Sequence, residues 1–343
     1  MSQVSVQAPE SVGIGVTWEE GGASLPNIGE TPSSRVRADV TRCVLSVENL
    51  RKSFRKGEPV VRDVSFVVNA SEVFAFLGPN GAGKTTTIKM IAGLLMPDTG
   101  AVRIEGEDPH DGPSAMPSLG TVLEGNRNLY WRMTAFENIR YFGVHKGMRI
   151  SEASRRAGEL LRRFGLGPKR DVQVRHLSRG MQQKLAIAVT LVHEPKLLLL
   201  DEPTLGLDIV SSLQVMEIIR ELQAEGMAIV LTTHQLDVAE SLADRVAIIR
   251  DGRIIKEAKK TDLIAEFTPD GYEIELSGEL CASRHEALVT GFGARIEPGK
   301  IYLPGGSDRL YEALDVISPL PLSSLGRAKV DLAQIFLKLT EEE

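Results

Sequence analysis

One short glycine-rich stretch constrains the fold of this chain more than any other part of the sequence. Residues 78–85 read Gly-Pro-Asn-Gly-Ala-Gly-Lys-Thr, which fits the spacing G-x-x-x-x-G-K-[ST]. The stretch follows an apolar run, 73–77, and precedes a helical pattern that begins at about Lys84. Glycines let the backbone wrap a phosphate chain, and the start of a helix adds a dipole that favours anions. The stretch therefore predicts a nucleotide-binding strand, loop and helix.

The chemistry of this phosphate loop follows from its residue types. Lys84 is expected to reach the β- and γ-phosphates, and the Thr85 hydroxyl is expected to ligate Mg²⁺. The motif alone does not separate kinases, GTPases, helicases and pumps, which all bind nucleoside triphosphates. The residues predicted to contact the nucleotide here are Gly78, Pro79, Asn80, Gly81, Ala82, Gly83, Lys84, Thr85 and Thr86.

A pair of acidic residues follows a second apolar run. Residues 197–200 are all leucine and precede Asp201 and Glu202. A strand that is buried on both faces delivers its C-terminal residues to the ligand crevice of an α/β sheet. Asp201 is then expected to hold Mg²⁺ through water, and Glu202 to polarise the water that attacks the γ-phosphate. The alternative, two acids in a solvated turn, is disfavoured by the phosphate loop upstream.

The pattern of elements indicates an α/β protein. Apolar runs followed by helical stretches predict a buried, mostly parallel sheet, whereas residues 44–47 and 64–68 suggest exposed antiparallel strands. Helical patterns dominate from about 127 to 192, where Thr134 and Glu137 form a predicted capping box.

The two ends of the chain differ from its centre in composition and in the periodicity of their apolar residues. Residues 1–42 are rich in glycine, proline, serine and threonine without periodicity, which predicts a disordered leader. Residues 268–343 suggest the order β-α-β-β-α-β and a last helix, hence a small α+β domain.

Three further segments complete a recognisable set. They are Leu-Ser-Arg-Gly-Met-Gln at 177–182, Gly-Leu-Asp at 206–208 and Thr-Thr-His at 232–234. Together with the phosphate loop and the acidic pair, they resemble the ATP-binding cassette (ABC) family over residues 45–255. The closest resemblance is to nucleotide-binding subunits of bacterial exporters whose membrane subunits are separate chains, and 330–340 resembles the C-terminal stretch of such subunits.

The resemblance implies a fold and an activity. It implies a P-loop cassette over 43–265, with a mainly parallel sheet, an antiparallel β subdomain and a helical subdomain at about 127–192. It also implies an ATPase that uses ATP and Mg²⁺ and drives transport by closing a head-to-tail homodimer around two ATP molecules. The residues that the family would use as catalytic are Lys84, Glu202 and His234.

The resemblance further implies roles for residues outside the phosphate loop. Phe54 would stack on adenine, and His234 would contact the γ-phosphate and orient Glu202. Ser178 and Gly180 would contact the γ-phosphate bound by the opposite protomer, and Asp208 would lie where the protomers communicate. Judged without the family, Phe54 is a core or edge-strand aromatic, Ser178 a helix cap and His234 a satisfied strand-end histidine.

Two positions depart from the family pattern. Glu124 stands where the family usually has a glutamine that reaches the metal, and a carboxylate there adds negative charge beside Mg²⁺ and the γ-phosphate. We therefore expect Glu124 to be a metal ligand, with tighter Mg²⁺ retention and slower turnover. Arg179 and Met181 replace the usual glycine and glutamine, which we do not interpret as inactivation.

Composition bears on the partners. The net charge of -6 disfavours a general nucleic-acid binder, and no apolar run approaches the ~18 residues of a membrane-spanning helix. We therefore expect a protein that is soluble when isolated. The resemblance implies that it binds peripherally, through permease subunits, to the cytoplasmic face of the membrane. Residues 127–175 nevertheless hold 12 Lys or Arg against 4 Asp or Glu. That surplus fits either a solvated helix face or a surface near anionic lipid.

An aromatic patch suggests where a membrane subunit binds. Tyr130, Trp131, Phe136, Tyr141 and Phe142 lie within thirteen residues, just after Glu124. Aromatic residues are enriched at interfaces, and the resemblance implies that this region receives a helix of the membrane subunit. We therefore expect Tyr130 and Trp131 to line a socket for that helix. The alternative is that they pack inside the helical subdomain.

Two other functions compete with the transporter ATPase. One is a non-transport ABC ATPase of the translation or DNA-repair type, which would carry a second cassette or long insertions. The other is a regulatory module that binds ATP without hydrolysing it, which the presence of both Glu202 and His234 disfavours.

Overall fold

A computed structural model describes residues 42–55, 58–125 and 128–341. All but the last residue of the predicted disordered leader, 1–42, lies outside the described residues. The elements in chain order are β1 (Cys43–Arg55), β2 (Glu58–Asn69), β3 (Val73–Leu77), α1 (Lys84–Ile91), β4 (Thr99–Ile104), β5 (Leu119–Val122), α2 (Ala135–His145), α3 (Ile150–Arg163), α4 (Arg179–Thr190), β6 (Leu197–Asp201), α5 (Ile209–Ala224), β7 (Ala228–Thr233), α6 (Leu236–Leu242), β8 (Arg245–Arg250), β9 (Arg253–Lys259), α7 (Lys260–Phe267), β10 (Gly271–Leu276), α8 (Ala282–Phe292), β11 (Arg295–Glu297), β12 (Lys300–Pro304), α9 (Ser307–Ile317), β13 (Leu322–Arg327) and α10 (Leu332–Glu341).

The central sheet has the order β5-β6-β7-β3-β8-β9. All neighbours in it are parallel except β8 and β9, which are antiparallel. Every residue of β3, β6 and β7 is buried, as the continuous apolar runs require. The predicted buried, mostly parallel sheet is confirmed, and its strands β3, β6 and β7 end at the same edge.

A second sheet, with the order β2-β1-β4, is fully antiparallel. The predicted pairing is confirmed, but the prediction that these strands are exposed is wrong. Leu45 and Val64 are fully buried, and the ring of Phe66 stacks on that of Phe74 in β3 with centroids 4.7 Å apart. Successive side chains alternate between the two faces of this sheet, and one of those faces packs on the central sheet. The short runs of residues in the sequence did not indicate this packing.

The helical subdomain consists of α2, α3 and α4. The capping box that opens α2 is confirmed: the Glu137 N–H donates to Thr134 Oγ1 (3.2 Å), and the Thr134 N–H donates to Glu137 Oε2 (2.8 Å). Part of the arginine-rich face of α3 is paired within the protein. Arg163 makes two hydrogen bonds to Glu225 (2.7 and 2.9 Å), and Arg156 lies 3.0 Å from Glu194.

The C-terminal residues form a third sheet, with the order β11-β12-β10-β13, and helices α8 and α9. The predicted order β-α-β-β-α-β followed by a helix is confirmed. Ile274, Leu288 and Ile301 belong to the core of this unit. The last helix, α10, instead packs on α6 and α7, and its Leu332 and Ile335 belong to the core of the central sheet.

None of the helices in the described part of the chain has the length and apolar composition that crossing a bilayer requires.

Candidate functional site

The phosphate loop connects β3 to α1, as the sequence predicts. Gly83 is the residue before α1 and has φ = 104°, in the left-handed region. A Cβ at Gly83 would lie 2.7 Å from the Val60 carbonyl oxygen, and one at Gly78 would lie 2.4 Å from that of Ile249. Gly83 must be glycine for both the close approach and the backbone angle, and Gly78 for the close approach, so the loop depends on these two positions.

The lysine of the loop faces the acidic pair. Lys84 is buried, and its Nζ donates to the carbonyl oxygens of Gly78 (2.7 Å) and Pro79 (3.1 Å). Burial lowers the pKa of this ammonium, whereas the carboxylates of Glu202 and Asp201 act in the opposite direction. The cation is therefore positioned between the loop and the two acids, where a phosphate chain needs charge neutralisation.

Asp201 ends β6 and is 2% exposed. Its Oδ1 accepts hydrogen bonds from Thr232 Oγ1 (2.5 Å) and Thr85 Oγ1 (3.2 Å). Its Oδ2 is buried and has no hydrogen-bond partner within the described residues. An unpaired buried carboxylate oxygen is costly, and a hard cation such as Mg²⁺ is bound by such oxygens.

Thr85 and Asp201 therefore fit Mg²⁺. No group of three or more His, Cys, Asp or Glu suited to a metal occurs among the described residues. The nucleotide phosphates and water would have to supply the remaining ligands, which is how Mg²⁺ is usually held beside a triphosphate.

Glu202 directly follows β6 and is held from two sides. The Nδ1 atom of His234 lies 2.8 Å from Glu202 Oε1, and Thr233 Oγ1 donates to Oε2 at 3.3 Å. The Glu202 backbone has φ = 52°, a costly conformation for a residue with a side chain. Its N–H donates to the Thr232 carbonyl (3.0 Å), which helps to hold the carboxylate in the fixed position that a general base would require.

A cavity of about 480 Å³ joins these groups. Most of the predicted nucleotide, metal and catalytic residues line it, and Glu124 is one of them. The lining residues are Val60, Asn80, Gly81, Gly83, Lys84, Thr85, Thr86, Glu124, Glu202, Leu205 and His234.

Eight predicted residues are not among the described residues that line this cavity. Four of them, Gly78, Pro79, Ala82 and Asp201, lie within two residues of lining residues in the sequence, and the other four are Phe54, Ser178, Gly180 and Asp208. Phe54 lies near the end of β1 and is 61% exposed. Ser178 caps α4, since its Oγ accepts from the Met181 N–H (3.3 Å), and Gly180 lies in the first turn of that helix. Asp208 caps α5.

Two of these segments pack against each other. A Cβ at Gly180 would lie 2.3 Å from Ser211 Oγ, and that hydroxyl donates to Asp208 Oδ2 (2.8 Å). The first turns of α4 and α5 therefore form one contiguous surface, separate from the cavity. A substitution at Gly180 would displace Ser211 and disturb the cap of α5.

Sequence reasoning assigned no role to four residues of the site. Val60 and Leu205 line the cavity, and Thr232 and Thr233 bind the two acids. The signal for the threonines was present: two hydroxyls end an otherwise apolar strand.

The aromatic patch divides into two parts. Tyr130 packs edge-to-face on Tyr141 at 4.9 Å and lies 5.7 Å from Phe142. Trp131 is 51% exposed and lines a different cavity of about 360 Å³, together with Arg179 and the acidic pair. Tyr130 and Trp131 therefore have different surroundings, although they are adjacent in the sequence.

Comparisons with known proteins agree with this geometry. The sequence model of a family described as ABC transporter matches residues 61–205. The ABC transporter ATP-binding protein NatA of Bacillus subtilis is 41% identical over 238 residues, which is 69% of this chain and 94% of that protein. The daunorubicin/doxorubicin resistance ATP-binding protein DrrA of Streptomyces peucetius is 36% identical over 298 residues, 83% of this chain and 88% of that protein.

A solved structure agrees as well. A dimeric ATP-binding cassette in a post-hydrolysis state, bound to ADP and phosphate, matches with a TM-score of 0.57 and 28% identity. The match covers 63% of this chain and 98% of that chain. With the phosphate loop, Lys84 and the paired Glu202 and His234 in one cavity, this chain belongs to the ABC transporter family, as an ATP-binding subunit that hydrolyses ATP.

Proposed function

We propose that this chain drives export through separate membrane subunits, by closing a head-to-tail homodimer around two ATP molecules. The placement of Glu202 carries the proposal, because a carboxylate held by His234 and Thr233 beside the phosphate loop is positioned to activate water. Several relatives support export as the direction: DrrA is named for drug resistance, and a relative from Ralstonia nicotianae is named for Nod factor export.

The hydrolytic step uses the side chains that line the cavity. Glu202 takes the proton of the attacking water, whose oxygen forms a bond to the γ-phosphorus while the bond to the β-γ bridging oxygen breaks. The products are ADP and phosphate. Lys84 neutralises charge on the β- and γ-phosphates, and His234 orients Glu202. Mg²⁺ held by Thr85 and Asp201, with Glu124 nearby, would neutralise further phosphate charge.

The remaining nucleotide contacts are proposed to come from two chains. Phe54 is exposed, as a ring that stacks on adenine must be. Ser178 and Gly180 open α4, whose first turn contains no acidic residue, so its free N–H groups suit a γ-phosphate. Because these residues lie outside the cavity of their own chain, we assign them to the ATP of the opposite protomer, with Asp208 at the junction.

The membrane side of the proposal concerns the helical subdomain. We propose that permease subunits hold the chain peripherally on the cytoplasmic face of the membrane and that Tyr130 and Trp131 contact them. The two rings are about half exposed, which favours a contact surface over packing inside the subdomain. Arg156 and Arg163 already have acidic partners, which favours a solvated α3 face over a lipid-binding one. The residues from 268 onward are proposed to regulate or dimerise.

The test begins with Glu202→Gln. We expect kcat for ATP hydrolysis to fall by at least 10²-fold while ATP still binds, because the amide keeps the size of the side chain but cannot take a proton. The variant should then accumulate as an ATP-bound dimer. Glu217→Gln, on the exposed face of α5, is the matched control. Undiminished hydrolysis by Glu202→Gln would refute the assignment of the base.

A second experiment separates the competing functions. Affinity purification of the full chain from its native cells should bring down a membrane permease. Recovery of ribosomes or DNA instead would favour the translation or repair class.

A further inference from the structure

One edge of the C-terminal sheet lacks the protection that sheet edges usually have. All six residues of β13 are exposed, and Arg327 is its single charged residue. Natural proteins blunt exposed edges with charges, proline or very short strands, because unpaired N–H and C=O groups recruit other strands. The opposite edge follows that rule: β11 has three residues, with Arg295 and Glu297 at its ends.

The register shows which backbone groups of β13 point outward. The Ala328 N–H donates to the Gly271 carbonyl (3.0 Å), and the next pairs along the ladder are Tyr272 with Arg327 and Ile274 with Leu325. In an antiparallel ladder, hydrogen-bonded and non-hydrogen-bonded pairs alternate. The N–H and C=O groups of Leu325 and Arg327 therefore point away from β10, toward the open side.

An apolar side chain stands at the centre of this edge. Leu325 is 44% exposed, and it lies opposite Ile274, which is fully buried in the core beneath α8 and α9. Leu325 thus lies on the same face of the sheet as that core, at the point where the core reaches solvent. A strand added beside β13 would cover this leucine and satisfy the outward backbone groups.

We propose that β13 pairs antiparallel with β13 of a second copy of this chain, about a twofold axis at Leu325. The two four-stranded sheets would then form one sheet of eight strands. The pairing is self-complementary, because the two Leu325 residues exchange both backbone hydrogen bonds and each Arg327 lies opposite Ser323 of the second copy. The two arginines are therefore at opposite ends and do not repel each other.

The second copy is the occupant favoured by the rest of the molecule. The inference rests on the proposed homodimer, which already places two copies of the chain together. A single pair of strands buries less than the roughly 1,000 Å² of a stable interface, so on its own the contact forms a weak, reversible dimer. When the nucleotide-binding halves already hold two copies together, the same contact forms readily, because the local concentration of the partner strand is high. The β13 contact would keep the two chains associated while their nucleotide-binding halves separate.

The test measures self-association of the full chain without nucleotide, by sedimentation equilibrium. We expect a dimer whose Kd rises at least tenfold in Leu325→Lys, because two like charges then face each other across the axis. Leu325→Glu should weaken the dimer equally, and an equimolar mixture of the two variants should restore it. Tyr311→Lys, at an exposed position of α9 in the same unit, is the matched control and should leave Kd unchanged.

A separate measurement distinguishes this inference from the proposed function. ATPase activity, and ATP-dependent dimerisation in the Glu202→Gln background, should survive Leu325→Lys. An unchanged Kd in Leu325→Lys, a wild-type chain that is monomeric without nucleotide, or a mixture that does not restore the dimer would each overturn the β13 pairing. None of these outcomes would affect the assignment of Glu202.

Discussion

The Nδ1 atom of His234 lies 2.8 Å from Oε1 of Glu202, and the two residues directly follow different strands of the central sheet. The contact joins the residue after β7 to the residue after β6, so the sheet itself sets the distance between them. The histidine ring is 41% exposed, whereas the Glu202 side chain is largely buried. Glu202 is thus held within the protein, and the more exposed ring of His234 faces the nucleotide cavity.

This contact predicts the effect of His234→Ala. Glu202 would keep its hydrogen bond from Thr233 but lose its second support, so its carboxylate would be less well oriented. We expect kcat for ATP hydrolysis to fall on the order of 10²-fold with little change in the KM for ATP. Thr233→Val should cost less than tenfold, because its hydrogen bond is longer. Steady-state kinetics check both, and an unchanged kcat in His234→Ala would count against the orienting role.

Replacement of Glu124 by glutamine tests the unusual residue in the cavity. The amide removes one negative charge beside the acidic pair, so we expect weaker Mg²⁺ retention and faster turnover. ATPase rates measured against Mg²⁺ concentration give both quantities. Glu107→Gln, in an exposed turn after β4, is the control. A wild-type rate and Mg²⁺ dependence in Glu124→Gln would refute the prediction.

Tyr130→Ala tests the proposed permease contact. The ring of Tyr130 packs on Tyr141 and Phe142, away from the nucleotide cavity. We expect transport by the assembled transporter to be lost while the isolated subunit keeps its ATPase activity and its melting temperature. A large fall in melting temperature would instead support packing inside the helical subdomain. Trp131 is unsuitable for this test, because it lines a cavity beside Glu202.

His193 predicts a pH dependence of stability. Burial, and then the charge of Lys146, lower the pKa of this histidine, whose Nε2 lies 3.0 Å from the Leu119 carbonyl oxygen. The unfolded chain therefore takes up this proton first as the pH falls, so the folded state loses stability below about pH 6.5.

A substitution isolates that contribution. His193→Gln keeps a donor for Leu119 but cannot titrate. We expect the loss in urea midpoint between pH 7.5 and pH 5.5 to be smaller in His193→Gln than in the wild type. Equal losses in the two proteins would show that His193 does not contribute to the acid sensitivity.

The sequence predicts the central sheet and the phosphate loop well, because both depend on short contiguous patterns. A run of five apolar residues specifies a buried strand, and the glycines that follow specify the turn. The positions of Asp201 and Glu202 follow from the same rule, because strand ends meet at one edge of a parallel sheet.

The contacts that were missed all join distant parts of the chain. Thr232, on β7, donates a hydrogen bond to Asp201, which lies 31 residues earlier at the end of β6. The burial of β1 and β2 depends on Phe74 of another sheet, and the separation of Trp131 from Tyr130 depends on where α4 packs. The local periodicity of a sequence does not indicate which surfaces pack against each other, so these features could be found only in the structure.

The position of α10 determines how the C-terminal sheet can move. The Leu332 N–H donates to Glu240 Oε2 on α6 (3.1 Å), and Arg250 on β8 donates to the Thr340 carbonyl (3.0 Å). The C-terminal sheet is therefore inserted between α7 and α10, which pack on each other, and has two attachments instead of one. Two attachments restrict the motion of this sheet more than a single linker would. Because α6 begins two residues after His234, any change in the contact between α10 and α6 would be passed to that histidine through a very short segment of chain.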